Sequence, residues 1–463
     1  MPDLSAIVKA YDIRGVVGEQ LDEATVRALG GAMARLVAED DPAPRAVVVG
    51  RDMRDSSPSL AAAFSEGVTG QGLDVVDIGL ASTDMLYYAA GSLDLPGAMF
   101  TASHNPAKYN GIKLCRAGAT PIGQDTGLVT IREACERGVP QGAGGGSVES
   151  RDMLAGYAGY LRSLVDLSGL RDLTVVVDAG NGMGGHTVPT VFEGLPVRVV
   201  PLYFELDGNF PNHEANPLDP ANLVDLQKAV VAEGADLGLA FDGDADRCFV
   251  VDERGEAVSP SAITGLVAAR ELARVASDGE RDVAVIHNLI TSRAVPEIVA
   301  ERGGRAVRTR VGHSFIKATM AETGAVFGGE HSAHYYFRDF WKADSGMLAA
   351  LHVLAALGEH RADDASAPLS GLMAAYERYA ASGEINSTVA DQAGRVVEIE
   401  RVFGARDGVT LDTLDGLTVS MPDGSWFNLR ASNTEPLLRL NVEAPDADAV
   451  AALRDEVLAV VRA

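Results

Sequence analysis

The chain has 463 residues, length for roughly three or four domains, and its 47% hydrophobic content excludes extensive disorder. Its 65 acidic against 39 basic residues give a net charge of −26, which argues against nucleic acid or an anionic membrane as a partner. An acidic shell around a few basic loops suits a small anionic ligand instead. Cys115, Cys135 and Cys248 are too few and too widely spaced for a disulfide framework or a zinc pattern, so reduced thiols and a cytoplasmic setting are expected. Met1–Lys9 lacks a basic region followed by an apolar core, and no apolar run approaches membrane-spanning length.

Thr25–Ala38 reads as a helix, and Ala46-Val-Val-Val49 as a solidly apolar strand. A second strand, Gly97-Ala-Met-Phe100, leads into the polar loop Thr101-Ala-Ser-His-Asn-Pro106. Gly142–Ser147 reads as a flexible linker. The pattern then repeats. The strand Leu173–Val177, the helical stretch Pro220–Glu233 and the strand Leu237–Phe241 precede the loop Asp242-Gly-Asp-Ala-Asp-Arg247, and Cys248–Val251 returns. A third copy runs from Val283–Ile286 to Gly324–Phe327 and the loop Gly328-Gly-Glu-His-Ser-Ala-His334. Apolar strands without alternation, separated by helices, predict parallel sheets covered on both faces, with ligand loops at the strand carboxyl ends. After a break at Gly358–Pro368 the chain changes character. Strand-like Ser425–Leu429 and Leu437–Val442 flank a polar loop, and a closing helix Asp446–Val461 sets Val450, Leu453, Val457 and Val460 on one face. The expected fold is α/β: three similar α/β domains with mixed, mainly parallel sheets at 1–148, 149–255 and 256–366, and a C-terminal α+β domain at 367–463.

The loops carry the chemistry. Asp242, Asp244 and Asp246 fall at every second position, so an extended backbone would aim all three carboxylates at one point. Such a set repels unless a hard cation joins it, and oxygen ligation suits Mg²⁺ or Ca²⁺. An EF-hand is disfavoured, because Arg247 stands where its loop needs glycine and the flanks read as strands. In the first loop Ser103 is the one nucleophile. Adjacent side chains on an extended loop diverge, so His104 is not expected to take its proton, and a phosphoryl-carrying serine helped by the cation fits better. Glu330 and Ser332 suit vicinal sugar hydroxyls. Arg430-Ala-Ser-Asn-Thr-Glu-Pro436 with Arg439 suits a phosphate, through two guanidiniums, hydroxyls and an amide, with a surface ion-pair cluster as the alternative. Asp178-Ala-Gly-Asn-Gly-Met-Gly-Gly185, with Glu205 twenty residues on, also satisfies the dinucleotide fingerprint.

Together these stretches resemble the α-D-phosphohexomutase superfamily, most closely its phosphomannomutase/phosphoglucomutase branch. The similarity spans nearly the whole chain. It includes Lys9-Ala-Tyr-Asp-Ile-Arg-Gly15, Gly50-Arg-Asp-Met-Arg-Asp-Ser-Ser57, the Ser103 loop, Asn110-Gly-Ile-Lys113, the Asp178 turn, Asp207-Gly-Asn-Phe-Pro-Asn212 and the Asp242, Glu330 and Arg430 loops. The resemblance implies four domains around a central cleft. It implies that Ser103 is the phosphoserine, that Asp242, Asp244 and Asp246 hold Mg²⁺ together with a phosphoserine oxygen, and that Arg247 steadies the transferring group. Glu330 and Ser332 would hold sugar hydroxyls. Arg430, Ser432, Asn433 and Thr434, helped by Tyr11 and by Arg439, would hold the phosphate that is not reacting. Arg14, Lys113, His104, His313 and His334 would move protons or stabilise charge.

The implied activity is phosphomannomutase, through a hexose 1,6-bisphosphate that also serves as activator, in a monomer or homodimer. Phosphoglucomutase as the main activity, or a Mg²⁺-dependent sugar-phosphate hydrolase, is the alternative. Two departures bear on the sugar. His331 and Ala333 stand where the branch usually has Met and Gly, and Asn288-Leu-Ile-Thr-Ser292 lacks a lysine common after that strand.

Overall fold

The computed structural model describes residues 4–431 and 437–463. Contacts divide the chain into two compact units, one of Met1–Pro260 with Ser332–Leu372 and the other of Ser261–His331 with Met373–Ala463.

In the first unit, Ala46–Arg51 is the central strand of a six-stranded sheet. It pairs in parallel with Asp74–Leu80 on one side and Gly97–Phe100 on the other, and Tyr109–Cys115 returns antiparallel. The second sheet repeats this plan around Leu173–Asp178, with Val197–Leu202 and Leu237–Phe241 in parallel and Cys248–Asp252 antiparallel. In the second unit, Ala284–Asn288 is again flanked in parallel by Arg305–Thr309 and Phe327–Gly329. The three copies share one order because each central strand is an unbroken apolar run, buried on both faces, that only flanking parallel strands and covering helices can shield. The expected α/β repeat is therefore present, with mixed, mainly parallel sheets.

The C-terminal sheet is antiparallel throughout, with Trp426–Ala431 and Leu437–Ala444 at its centre. The closing helix runs Ala447–Val461, and its N-cap Asp446 accepts from the Ala449 amide at 2.9 Å. Val450, Leu453 and Val457 are buried as expected, but Val461 rather than Val460 completes the stripe, one helical turn further on.

Two expectations need correction. Gly142–Ser147 is not a free linker: the Gly144 and Gly146 amides donate to the Gly70 and Thr69 carbonyls, and Ser147 bonds Asp74 Oδ1 through its amide at 2.7 Å and its hydroxyl at 2.8 Å. Val148–Ser150 then adds an edge strand to the first sheet. Nor does Gly358 break the chain, since the helix Gly346–His360 carries it as a buried position.

Asp84, in the first turn of the helix Thr83–Leu93, ties three segments of the first unit. Its carboxylate accepts from Ser82 Oγ at 2.5 Å, Tyr157 Oη at 2.7 Å and Ser345 Oγ at 2.6 Å. Burial pushes its pKa from 3.8 up to about 6 against these three donors. The native state thus keeps a proton that the unfolded chain releases near pH 3.8, so this stabilising contribution is complete below 3.8 and lost as pH rises through about 6. Lowering the pH from 7 to 4 should stabilise wild type relative to Asp84→Asn by on the order of 3 kcal/mol, read from urea midpoints across that range. A wild-type-to-variant difference that does not move with pH refutes this.

Candidate active site

The strand Leu237–Phe241 delivers Asp242 to a tight turn. The Ala245 amide closes it on the Asp242 carbonyl at 3.0 Å, and Ala245 takes φ +59°. The three carboxylates therefore converge by a turn and not by the alternation of an extended strand. All three are buried, with oxygens within 4.8 Å of one another.

Cations from separate elements offset that charge. Arg247 donates to Asp242 Oδ2 from Nε at 2.9 Å and Nη2 at 2.8 Å. Lys113 Nζ bridges Asp244 Oδ2 at 2.8 Å and Asp246 Oδ2 at 2.6 Å. Thr83 donates its hydroxyl to Asp244 Oδ2 at 2.6 Å and its amide to the Asp244 carbonyl at 3.0 Å. Burial, with Asp246 and Asp244 adding repulsion, pushes Asp242 up to about 7 against the pull of Arg247. Burial and Asp244 likewise raise Asp246, whereas Lys113 overcomes burial at Asp244 and holds its carboxyl down. Asp244 Oδ1 and Asp246 Oδ1 are buried without a hydrogen-bond partner among the described residues. Such oxygens fit a hard divalent cation.

Ser103 faces this cluster. Its Oγ donates to Asp242 Oδ2 at 2.7 Å, and its φ of +49° puts a non-glycine residue in the left-handed region. That conformation corrects the expectation for His104, because the folded loop brings His104 Nδ1 to 3.2 Å from Ser103 Oγ. Arg247 Nη2 donates to the same nitrogen at 2.8 Å. Burial, and then the charges of Arg247 and Arg14, lower His104 to about 3, so its imidazole is neutral with Nδ1 as an acceptor.

The glycine turn at Asp178–Gly185 serves this loop. A Cβ on Gly182 would lie 2.7 Å from the Gly243 carbonyl oxygen, and the Met183 amide donates to that oxygen at 2.9 Å. A Cβ on Gly243 would in turn lie 2.4 Å from the Ser103 carbonyl oxygen. Three backbones stack where the dinucleotide reading expected a pyrophosphate beside the second glycine.

The first unit also gathers other expected residues. His334 Nε2 lies 3.7 Å from Asp246 Oδ1, and its Nδ1 lies 2.9 Å from Ser332 Oγ. Arg14 donates to Asn105 Oδ1 in the Ser103 loop and to Asp12 Oδ2 at 2.6 Å. Tyr11 is 38% exposed on the same N-terminal segment. In the second unit, buried Glu330 accepts at Oε1 from Asn288 Nδ2 and the Gly312 amide, both at 3.2 Å. Arg430 and Arg439 sit directly opposite one another on adjacent strands. Among the described residues their nearest carboxylates are Asp415 at 3.6 Å and Glu384 at 3.8 Å, beyond hydrogen-bond range. Ser432, Asn433 and Thr434 lie outside the described residues, as does the side chain of His313. Sequence reasoning missed Thr83, Asp344 and Arg54. Asp344 offers an oxygen within 4.8 Å of the ligand atoms of Asp246 and His334. Arg54 donates to three carbonyls of the Ser103 loop and to that of Tyr109, at the start of the strand that follows. The only sequence signal for these was membership of quoted motifs, for Arg54, and proximity to them, for Asp344.

Comparison with known proteins places this geometry. Models of phosphoglucomutase/phosphomannomutase α/β/α domains I, II and III match residues 5–138, 155–255 and 260–379, and the C-terminal domain model matches 384–460. The chain belongs to the phosphoglucomutase/phosphomannomutase family. It is 39% identical over 446 residues to a phosphomannomutase of Salmonella montevideo, with 94% of each chain covered. It is 42% identical over 441 residues to a protein of Xanthomonas campestris pv. campestris named "phosphohexose mutases", again with 94% of each covered. A solved family member from Burkholderia thailandensis superposes with a TM-score of 0.86 at 33% identity, covering 99% of this chain and 97% of its own.

A cation held only by the folded carboxylates stabilises by mass action, about 2.7 kcal/mol at a hundredfold excess over Kd. Chelation with EDTA should therefore lower the unfolding midpoint of wild type and leave that of Asp244→Ala unmoved. Equal responses in the two proteins would exclude this cluster as the binding site.

Proposed function

We propose that the chain is a phosphohexomutase that interconverts mannose 1-phosphate and mannose 6-phosphate through a phosphoserine at Ser103, and that it also accepts glucose phosphates. Ser103 Oγ at 2.7 Å from Asp242, inside a buried carboxylate–guanidinium–ammonium cluster, carries this reading. The family match supports it. Magnesium as the metal, hexose 1,6-bisphosphate as activator, a cytoplasmic setting and a monomeric or homodimeric state belong to the same reading.

Asp242, Asp244 and Asp246, with a phosphoserine oxygen on Ser103, would hold Mg²⁺, which would supply charge neutralisation for phosphoryl transfer. The chain's own residues do the rest. The bond from phosphorus to Ser103 Oγ breaks as the 6-hydroxyl of hexose 1-phosphate bonds phosphorus, giving a 1,6-bisphosphate. The hydroxyl proton passes to a base, for which His334 is the better candidate, because burial and neighbouring cations keep His104 neutral with its Nδ1 already accepting from Arg247. After the intermediate turns over, the bond from phosphorus to O1 breaks as Ser103 Oγ bonds that phosphorus, the base returns its proton to O1, and hexose 6-phosphate leaves. Arg247 and Lys113 hold positive charge where negative charge develops on the transferring group. Arg14 orients Asn105 of the serine loop. Glu330 and Ser332 take the sugar hydroxyls. Arg430, Ser432, Asn433, Thr434, Arg439 and Tyr11 hold the phosphate that is not reacting, and His313 contacts the substrate as a proton-moving or charge-stabilising group. Sugar preference falls to the loop with His331 and Ala333, where His331 Nδ1 lies 3.2 Å from Ser261 Oγ.

An aspartyl hydrolase fits less well. Asp242 accepts at Oδ2 from Ser103 and twice from Arg247, and at Oδ1 from the Arg247 amide at 3.2 Å, while Asp244 Oδ2 accepts from Thr83 and Lys113, which leaves of the two side chains only Asp244 Oδ1, an oxygen this reading assigns to the cation.

³¹P NMR with mannose 1-phosphate and glucose 1-phosphate in parallel, Mg²⁺ and a trace of glucose 1,6-bisphosphate tests this. The expected result is conversion to the 6-phosphates without inorganic phosphate, with the rate ratio naming the sugar. Ser103→Ala should lower turnover by at least about 10³-fold. Release of inorganic phosphate, or a fully active Ser103→Ala enzyme, would overturn the proposal.

A further inference from the structure

We infer that Arg54 is a positioning residue for the Ser103 nucleophile, acting through the backbone of its loop; the inference rests on the mutase reading above. Arg54 belongs to the motif Gly50–Ser57, to which that reading assigns no role. It is 2% exposed, and its five N–H groups have five acceptors. Nη2 donates to the carbonyls of Ser103 at 2.8 Å and Asn105 at 2.7 Å. Nη1 donates to those of Pro106 at 3.1 Å and Tyr109 at 3.0 Å. Nε donates to Asp52 Oδ2 at 3.2 Å, and Asp52 is itself held by Ser57 Oγ at 2.6 Å. The ring of Phe210, from the motif Asp207–Asn212, covers the guanidinium at 5.1 Å.

The serine loop is thus curled around one planar fork. Ser103 is strained at φ +49°, and the groups fixing its backbone are the Thr101 hydroxyl, which its amide reaches at 2.9 Å, and Arg54 at its carbonyl. The same carbonyl oxygen is where the backbone of Gly243 packs, so the fork also sets Ser103 against the carboxylate loop. A lysine would keep the charge and lose the fork, since one ammonium cannot span four carbonyls on two diverging axes. Freed from it, Ser103 relaxes out of the left-handed region and Oγ leaves Asp242. The groups that bind the sugar are untouched.

The test is the steady-state kinetics of Arg54→Lys, with the rate of Ser103 phosphorylation by glucose 1,6-bisphosphate followed by intact mass. Both kcat and the phosphorylation rate should fall about 100-fold, the cost of a displacement near 1 Å, while KM for the hexose 1-phosphate stays within about twofold. Phe210→Leu, which uncovers the guanidinium but keeps every hydrogen bond, should show the same split at about tenfold. Leu161→Ala, a buried change in the helix Leu154–Leu164, gives the purely structural comparison: a lower melting point with kcat per folded molecule unchanged. Arg54→Lys behaving like Leu161→Ala, or losing kcat and KM in step, overturns the inference. Should Arg54→Lys not fold, wild-type kcat in Phe210→Leu overturns it instead. A wild-type enzyme that converts no hexose phosphate defeats the mutase reading and this inference with it, whereas an active wild type with an equally active Arg54→Lys defeats the inference alone.

Discussion

Burying three carboxylates within one ion's reach is the constraint on which the first unit depends. Isolated, each would be driven to protonate or to the surface. The chain instead brings compensation from distant segments: Thr83 from one helix, Lys113 from an antiparallel strand, Arg247 from the loop itself. Removing one member of such a network leaves a buried charge unpaired, at a cost of about 3–5 kcal/mol. The site is therefore a folding problem as well as a catalytic one, and the elements that carry it cannot form independently.

That arrangement explains what could be read in the sequence. The strands were legible because burial on both faces leaves a continuous apolar run, and three such runs in one order exposed the repeat. The carboxylates were legible as a set, but not how they meet. Convergence depends on Ala245 at φ +59°, and the Ser103–His104 contact depends on Ser103 at φ +49°. Alanine and serine do not advertise that conformation, so an extended backbone was the natural but mistaken expectation. Arg54 was hidden for another reason. Its partners are main-chain carbonyls 49 to 55 residues away, and carbonyls have no sequence signature. Gly142–Ser147 misled in the opposite sense, since a composition typical of free linkers here lets the chain lie against Thr69 and Gly70.

The glycine turn at 178–185 separates a local geometry from its use. Two positive-φ residues, Gly180 and Asn181, followed by Gly182 allow close backbone approach. In a dinucleotide site that approach is to a pyrophosphate. Here it is to Gly243, whose own lack of a Cβ admits the Ser103 carbonyl. The motif reports that something comes near, and only the fold says what. Asn288 is a gentler case: its amide bonds Glu330, the residue expected to hold sugar hydroxyls.

The charge balance in the two units then fits two different tasks. Near Ser103, Lys113 and Arg247 are committed at 2.6–2.9 Å to carboxylates, which in the proposed reaction would preorganise the field for a transferring phosphoryl group and leave little to rearrange. Arg430 and Arg439 are set opposite one another, with carboxylates among the described residues at 3.6 and 3.8 Å, an arrangement that favours an entering anion. A mutase needs that asymmetry. Its reacting end must be rigid enough to keep water from the phosphoserine. In the proposed reaction a phosphate must be accepted from either end of the sugar, a task that would suit two guanidiniums with loosely held counter-charges, which demand no one orientation of what carries the dianion.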